Sequence, residues 1–167
     1  MKVTNVRRPS RTGEEVKLTR LNADEQARRV HDALSRRAYQ LFEHRGCSGR
    51  HEIDDWRQAE SELLVPCCCG DMTLNGSLWL GTDSSNFEEG TMEIWVAPRR
   101  ITICGKPRMG GKYCVSKALS ADRIFRVIDL PLDVDPSGVT TRFSGPSLEI
   151  VMRKAQANPA PAMAAVA

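Results

Sequence analysis

This sequence contains few aromatic residues, few histidines and no long apolar segment. Each of these features limits what the protein can be. Aromatic side chains make up 5% of the 167 residues, which indicates a modest hydrophobic core. No stretch approaches the roughly 20 apolar residues that cross a bilayer, and the N-terminus lacks the apolar segment of a secretory signal. The composition therefore predicts a cytoplasmic protein with reduced thiols, made of one ordinary domain or a small domain with an appendage.

The scarcity of histidine argues against an enzyme. All three histidines lie in the N-terminal part, so the serines and acidic residues of the C-terminal part have no base to activate a nucleophile. Gly105 and Gly110 have the spacing of a P-loop, but Gly111 stands where the lysine is required. We therefore predict a protein that is not an enzyme and that uses no cofactor.

Six cysteines are present, but the paired C-x-x-C spacing of zinc sites and redox centres is absent. Cys67–Cys69 form a contiguous triplet, and because neighbouring residues on an extended chain face opposite ways, at most two of them reach one ion. His44, Cys47 and His51 superficially suit zinc, yet they are more simply interpreted as surface residues. We therefore interpret the triplet as the first residues of a strand, in which cysteine acts as a small hydrophobic residue, and we predict no metal site.

Basic residues are concentrated at the N-terminus, although the net charge is only +3. Residues 1–37 carry ten lysines and arginines against five acidic residues. Because no aromatic residue lies among them, these charges favour a solvated arm over a surface for nucleic acid or lipid. We predict that residues 1–27 form a disordered basic arm and that residues 155–167, rich in alanine and proline, form a disordered tail.

The apolar pattern that follows the arm is helical. Apolar residues recur at spacings of three and four, and Gly46 is the predicted stop of this first helix. A second helix is predicted over "DDWRQAESELL", with Asp54 as its N-cap and Asp55 in its first turn. Residues 28–65 should form a helical hairpin that is too small to be stable without docking. The side chains predicted to face each other are Val30, Leu34, Ala38, Leu41 and Phe42 in the first helix and Trp56, Ala59 and Leu63 in the second.

After Pro66 the pattern changes to alternation with period two. About seven short segments follow, each bounded by Gly, Pro, Asp or Ser and with no helix between them. Within "TMEIWVAPRRITICGK", Met92, Ile94 and Val96 face one way and the residues between them face the other. Residues 66–154 are therefore predicted to form an immunoglobulin-like antiparallel β-sandwich, so that the chain is mainly β with a preceding two-helix hairpin.

The C-terminal part also resembles a known family. The stretch "RVIDLPLDVDPSGVTTRFSGPSLEIVMRKA" resembles the end of the alpha-crystallin domain of small heat-shock proteins, with Leu-Pro, an acidic turn and two strands joined at a glycine. The upstream "MEIWVAPRRITICGK" is similar to the central hairpin of that family. Residues 28–65 resemble a bacterial helical-hairpin module of unknown function that accompanies such domains in some chains.

The resemblance implies an ATP-independent holding chaperone, which binds partly unfolded proteins, here called clients, and prevents their aggregation. It implies a homodimer or a small oligomer, and no nucleic-acid, membrane, metal or cofactor partner. Arg126 would lie at the dimer interface. A client groove would lie between the fourth and eighth strands of the family's domain, lined by Met92, Ile94, Val96, Val139 and Phe143.

The sequence departs from the family pattern at the turn before the last strand and in the tail, and the second departure bears on assembly. Pro146 and Ser147 stand where the family carries a glycine before its last strand. The tail lacks the Ile-x-Ile/Val motif that bridges dimers in the family, which favours dimers or small oligomers.

The main alternative is a protein-interaction scaffold without chaperone activity, in which the sandwich dimerises and the hairpin binds a partner. A thiol- or metal-dependent protein that uses Cys67–Cys69 is the least favoured alternative.

Overall fold

Two β-sheets pack face to face in this protein, and two helices cover the outer face of one of them. A computed structural model describes residues 4–5, 16–47, 49–66, 69–109 and 121–156. None of the helices formed by these residues is both long and apolar enough to cross a membrane. The elements are β1 (Thr4–Asn5), β2 (Lys17–Arg20), α1 (Ala23–His44), α2 (Glu52–Leu63), β3 (Cys69–Leu74), β4 (Ser77–Asp83), β5 (Glu93–Ala97), β6 (Arg100–Gly105), β7 (Ile124–Asp129), β8 (Val134–Ser144) and β9 (Ser147–Lys154).

The strands form two sheets of different composition. Sheet A has the order β1-β2-β5-β6-β7, and sheet B has the order β3-β4-β9-β8. Neighbouring strands are antiparallel except for β2 and β5, which run parallel. Alternate apolar side chains of both sheets meet in one core between them. The prediction of a mainly β chain with an antiparallel sandwich behind a helical hairpin is confirmed.

The helical hairpin docks on the outer face of sheet A. Its side chains pack against Trp95, Cys104 and Phe125, which point away from the core between the sheets. Both faces of β5 are consequently covered, and all five of its residues are buried. The predicted facing residues Val30, Leu34, Ala59 and Leu63 are buried in this contact, with Ala38, Leu41 and Trp56 half-buried against it.

A buried polar contact fixes the start of α1 on sheet A. Gln26 has no exposed surface, and its Nε2 donates to the carbonyl of Leu21 at 2.9 Å. The hydroxyl of Thr102, in the middle of β6, donates to the Gln26 Oε1 atom at 2.8 Å. Because both ends of this amide are hydrogen-bonded, the cost of burying it is offset, and the contact holds the first turn of α1 against sheet A.

One helix boundary was predicted well and the other was not. Gly46 follows α1 with φ +74°, the left-handed conformation in which glycine ends a helix. Asp54 was predicted to cap α2, which is wrong: the helix begins at Glu52 and His51 takes the cap position without a capping side-chain bond. The acidic residues fill the first turn instead, where the helix dipole favours negative charge.

The prediction of a disordered arm over residues 1–27 is wrong for residues 16–27. This segment contains β2 and the first turn of α1. Val16 and Leu18 are buried between the sheets, with exposed fractions of 4% and 8%. Their burial, together with backbone pairing to β5, offsets the entropy lost on ordering the segment. The predicted disordered tail lies almost wholly outside the described residues.

Candidate functional site

The five residues predicted to line a client groove come together in the core between the sheets. Met92, Ile94 and Val96 project inward from sheet A, and Val139 and Phe143 project inward from β8. Their exposed fractions range from 0% to 7%. These side chains are therefore brought together as predicted, but they are covered. That they bind clients stays a prediction.

Strand β2 covers this position. It pairs in parallel with β5, with Leu18 opposite Ile94, and Val16 and Leu18 join the core between the sheets. Leu18, Val96 and Val139 line a residual cavity of about 30 Å³ at this end of the sandwich. The groove that the family resemblance implies for a client segment is thus covered by β2 of the same chain.

The outward side of β2 is held by a buried carboxylate. The Thr19 hydroxyl donates to Glu93 Oε1 at 2.7 Å, and Lys17 Nζ lies 3.2 Å from the same oxygen. Arg123 Nη1 lies 3.3 Å from the other oxygen. Burial alone would raise the pKa of Glu93, but the contacts from Thr19 and Lys17 favour the charged form, and the net pKa is lowered from 4.5. The ionised carboxylate thus ties β2 to β5.

We predict that Glu93 stabilises the fold at neutral pH and loses this effect on acidification. Its folded-state pKa lies below 4.5, so the unfolded chain binds the proton more readily than the native state. The free energy of unfolding contributed by Glu93 therefore falls as the pH drops through about 4.5 and below. Urea unfolding at several pH values should show that the free energy of unfolding falls more steeply with decreasing pH in the wild type than in Glu93→Gln. Equal slopes would contradict the predicted link.

Arg126 was predicted to lie at a dimer interface, and the structure places it inside the protomer. Its side chain projects from β7 with an exposed fraction of 1%. Nη1 donates to the Thr82 hydroxyl at 2.8 Å and to the carbonyl of Asp83. The guanidinium carbon lies 5.6 Å from the ring centre of Phe87, within cation–π distance. Arg126 therefore connects sheet A to the end of β4, and a direct contact with a partner at this position stays only a prediction.

An exposed apolar surface lies on the outer face of sheet B, where the sequence analysis placed no site. Met72, Leu74 and Trp79 have exposed fractions of 58%, 51% and 40%. Met72 lies directly opposite Trp79, and Trp79 lies opposite the half-buried Val151. Residues opposite each other in an antiparallel pair share a face, as do alternate residues of one strand. These four residues form one contiguous surface, which we call the outer patch.

The outer patch lies beside an edge strand. Among the described residues, β3 pairs with β4 alone. The other side of its backbone presents N–H and C=O groups that this sheet does not use. An extended segment that adds to β3 would form backbone hydrogen bonds and bury its own apolar side chains against the outer patch.

The thiol and metal alternative has little geometric support in the described part of the chain. Cys69 begins β3, where the triplet was predicted to open a strand, while Cys67 and Cys68 lie outside the described residues. Cys104 is fully buried, and burial raises the pKa of its thiol to about 12, which disfavours the reactive thiolate. No group of three or more potential metal ligands is found among the described residues. The residues weighed above as zinc ligands are all exposed: His44, Cys47 and His51.

Comparison with known proteins gives one family match and several similar structures. The family described as "Protein of unknown function (DUF2934)" matches residues 30–64, which form most of the helical hairpin. No curated protein sequence matches this chain.

The chain is similar to solved small heat-shock proteins at low identity. HSP18.5 from E. histolytica has 14% identity and a TM-score of 0.42, over 55% of this chain and 91% of that chain. The hspA protein from Xanthomonas axonopodis has 17% identity and a TM-score of 0.41, over 53% and 92%. The Del-C4 mutant of hsp14.1 from Sulfolobus solfatataricus P2 has 19% identity and a TM-score of 0.44, over 59% and 81%. At these values the similarities assign no function to this chain.

Proposed function

We propose that this protein is an ATP-independent holding chaperone that binds extended segments of partly unfolded proteins and keeps them from aggregating. The observation that carries the proposal is the outer patch beside the edge strand β3. Partly unfolded proteins expose apolar side chains and unpaired backbone groups at the same time. The outer patch and the β3 edge offer a partner for both.

The size and chemistry of this surface fit reversible holding. Single exposed apolar side chains are normal on a protein surface, whereas three large ones side by side on one sheet face are unusual. Backbone pairing along β3 is indifferent to the side chains of the added segment, so many different clients would bind. The proposed activity involves neither a bound nucleotide nor a metal.

A second candidate function is favoured by the same edge. A second copy of this chain could add to β3 and cover the outer patch, which would make the protein a homodimer or a scaffold without holding activity. The hairpin is a poorer candidate for binding a partner through its apolar stripe, because that stripe is buried against sheet A. Native mass measurement of the purified chain distinguishes monomers from dimers and small oligomers.

Light scattering from a heat-labile client tests the proposal. With no nucleotide present, this protein should suppress client aggregation at near-equimolar amounts, because each protomer offers one outer patch. An equal mass of serum albumin controls for nonspecific crowding. Undiminished client aggregation in the presence of excess protein would contradict the chaperone proposal and favour the scaffold function.

A further inference from the structure

A cleft of about 670 Å³ lies between α1 and the outer face of sheet A. The apolar part of its wall includes Leu63, Trp95 and Phe125, which belong to the cluster that joins the helical hairpin to sheet A. A cleft of this volume is large enough to hold a small organic molecule. It lies on the opposite side of the sandwich from the outer patch, so it is separate from the surface that carries the proposed function.

Four arginines line the cleft, and the helical repeat brings three of them together. They are Arg29, Arg36 and Arg37 on α1 and Arg123 immediately before β7. Positions seven and eight residues apart lie on one face of an α-helix. Two of the described lining residues are acidic, Asp32 and Asp122, and Asp32 already forms an ion pair with Arg28 at 3.2 Å. The described lining therefore carries four positive charges against two negative ones.

Carboxylates hold three of these arginines in place. Arg29 Nε lies 2.8 Å from Glu25 Oε1, and Arg37 Nε lies 2.6 Å from Glu62 Oε2. Arg123 is held by the carboxylate that also ties β2 to β5. A guanidinium group has five N–H donors, so a side chain that is fixed by one carboxylate keeps further donors for a ligand. The carboxylates offset much of the charge of these three arginines and restrict their conformations.

Arg36 supplies the uncompensated charge of the cleft. Its side chain is exposed, and it has no ion-pair partner in the part of the chain that the structure describes. Residues 110–120 precede the lining residue Ala121 in sequence and contain two lysines but no acidic residue. They lie outside the described residues, and their sequence offers no carboxylate to neutralise Arg36. The charge of the cleft therefore suits an anion from outside the chain.

We propose that this cleft binds a small organic anion. Its phosphate or carboxylate group would lie against the arginines, since a guanidinium forms paired hydrogen bonds with either group. Its apolar part would lie against Ala33, Leu63 and Phe125, because an inorganic anion alone would leave most of the cleft unfilled. The bound anion would contact both α1 and sheet A. This site does not depend on the proposed function.

Titration calorimetry of the full chain with three naphthalene probes tests the site. The probes are 2-naphthyl phosphate, 2-naphthoate and 2-naphthol, which share one apolar part and differ in the group that it carries. At least one of the two anions should bind at least about tenfold more tightly than 2-naphthol, because only an anion forms charge-assisted hydrogen bonds with the arginines. The anion that binds more tightly identifies the preferred group. Equal binding of all three probes, or binding of neither anion, would overturn the proposal.

Arg36→Gln and Arg57→Gln form a matched pair for this experiment. Each removes one exposed arginine from a helix, but Arg57 lies on α2 and does not line the cleft. Arg36→Gln should weaken binding of the preferred anion at least about tenfold, whereas Arg57→Gln should keep the wild-type affinity. Circular dichroism should show that both variants are folded. Unchanged affinity in Arg36→Gln, or equal weakening in both variants, would overturn the site.

Two further measurements place the bound anion. The anion should raise the Tm of the wild type more than the Tm of Arg36→Gln at the same concentration, because stabilisation by a ligand grows as its Kd falls. Met72→Lys/Trp79→Lys removes the outer patch and should bind the anion as tightly as the wild type. Loss of binding in that variant would place the probe on the outer patch and overturn the proposal.

Discussion

Replacement of Arg126 by methionine is expected to lower the free energy of unfolding by about 2–5 kcal/mol, because the Thr82 hydroxyl and the Asp83 carbonyl each lose a buried charged donor. The methionine side chain keeps much of the apolar contact with Phe87 and sheet B, so the loss reports mainly on the hydrogen bonds. Urea unfolding followed by fluorescence measures it. Arg142→Met on the exposed side of β8 is the matched control, with an expected change within about 0.5 kcal/mol.

The same variant distinguishes two roles for Arg126. If the side chain acts within the protomer, Arg126→Met lowers the stability of the chain at every protein concentration. If it acted mainly between protomers, the variant would keep its protomer stability and change only its native mass. The second result would contradict the position that we describe and restore the role predicted from the sequence.

Replacement of Trp95 by alanine is expected to destabilise the helices and the sandwich together, by about 3–5 kcal/mol. Trp95 is 2% exposed and lies between the Arg29 guanidinium, 5.4 Å from its ring centre, and the Phe125 ring, 5.9 Å away. Its removal would leave a cavity in the layer that joins α1 and α2 to sheet A. Circular dichroism should report the loss of helix in the same transition that the fluorescence of Trp79 in β4 reports for sheet B, recorded with Trp56 in α2 replaced by phenylalanine.

Trp79→Ala provides the control for this prediction. Trp79 lies on the outer patch at 40% exposure, so its removal should cost far less than the removal of Trp95. A helical signal that melts before the sheet signal, in the wild type or in Trp95→Ala, would contradict a single folded unit. It would favour a hairpin that folds as an independent module.

The parts of the fold that follow from local pattern could be predicted from the sequence. Alternation in β5 and β6 and the helical stripe around Val30 and Leu34 are periodicities that only one kind of element produces. The stop at Gly46 follows from the conformation that glycine alone adopts easily. Docking of the hairpin was expected from its small size. Its contact with Trp95 and Phe125 was not expected, because that contact depends on how the helical layer packs against sheet A.

The position of β2 could not be predicted in this way. Its signal is limited to two alternating apolar residues, Val16 and Leu18, in a basic segment, and its partner β5 lies more than 70 residues further along the chain. Pairing over such a distance depends on the finished sandwich. For the same reason the sequence could not show that the predicted groove residues are covered, or that Arg126, assigned to a dimer interface, is buried within the protomer.

The outer patch was missed because its strand looks ordinary in sequence. Alternation in β3 and β4 predicts one apolar face, and Leu78 and Leu80 supply it in the core. The second apolar row, Met72 opposite Trp79, becomes visible only when the register of the two strands is known. An exposed apolar row beside a strand edge that no other described strand pairs with favours association, which charged residues on edge strands usually prevent.

Client protection by a variant of the outer patch tests the central claim most directly. Met72→Lys/Trp79→Lys should lose most of its suppression of client light scattering, because two charges replace the apolar face beside β3. Tyr39→Lys, at a 60% exposed position on α1, should protect as well as the wild type, and urea unfolding should confirm that both variants are folded. Full protection by Met72→Lys/Trp79→Lys would contradict the account.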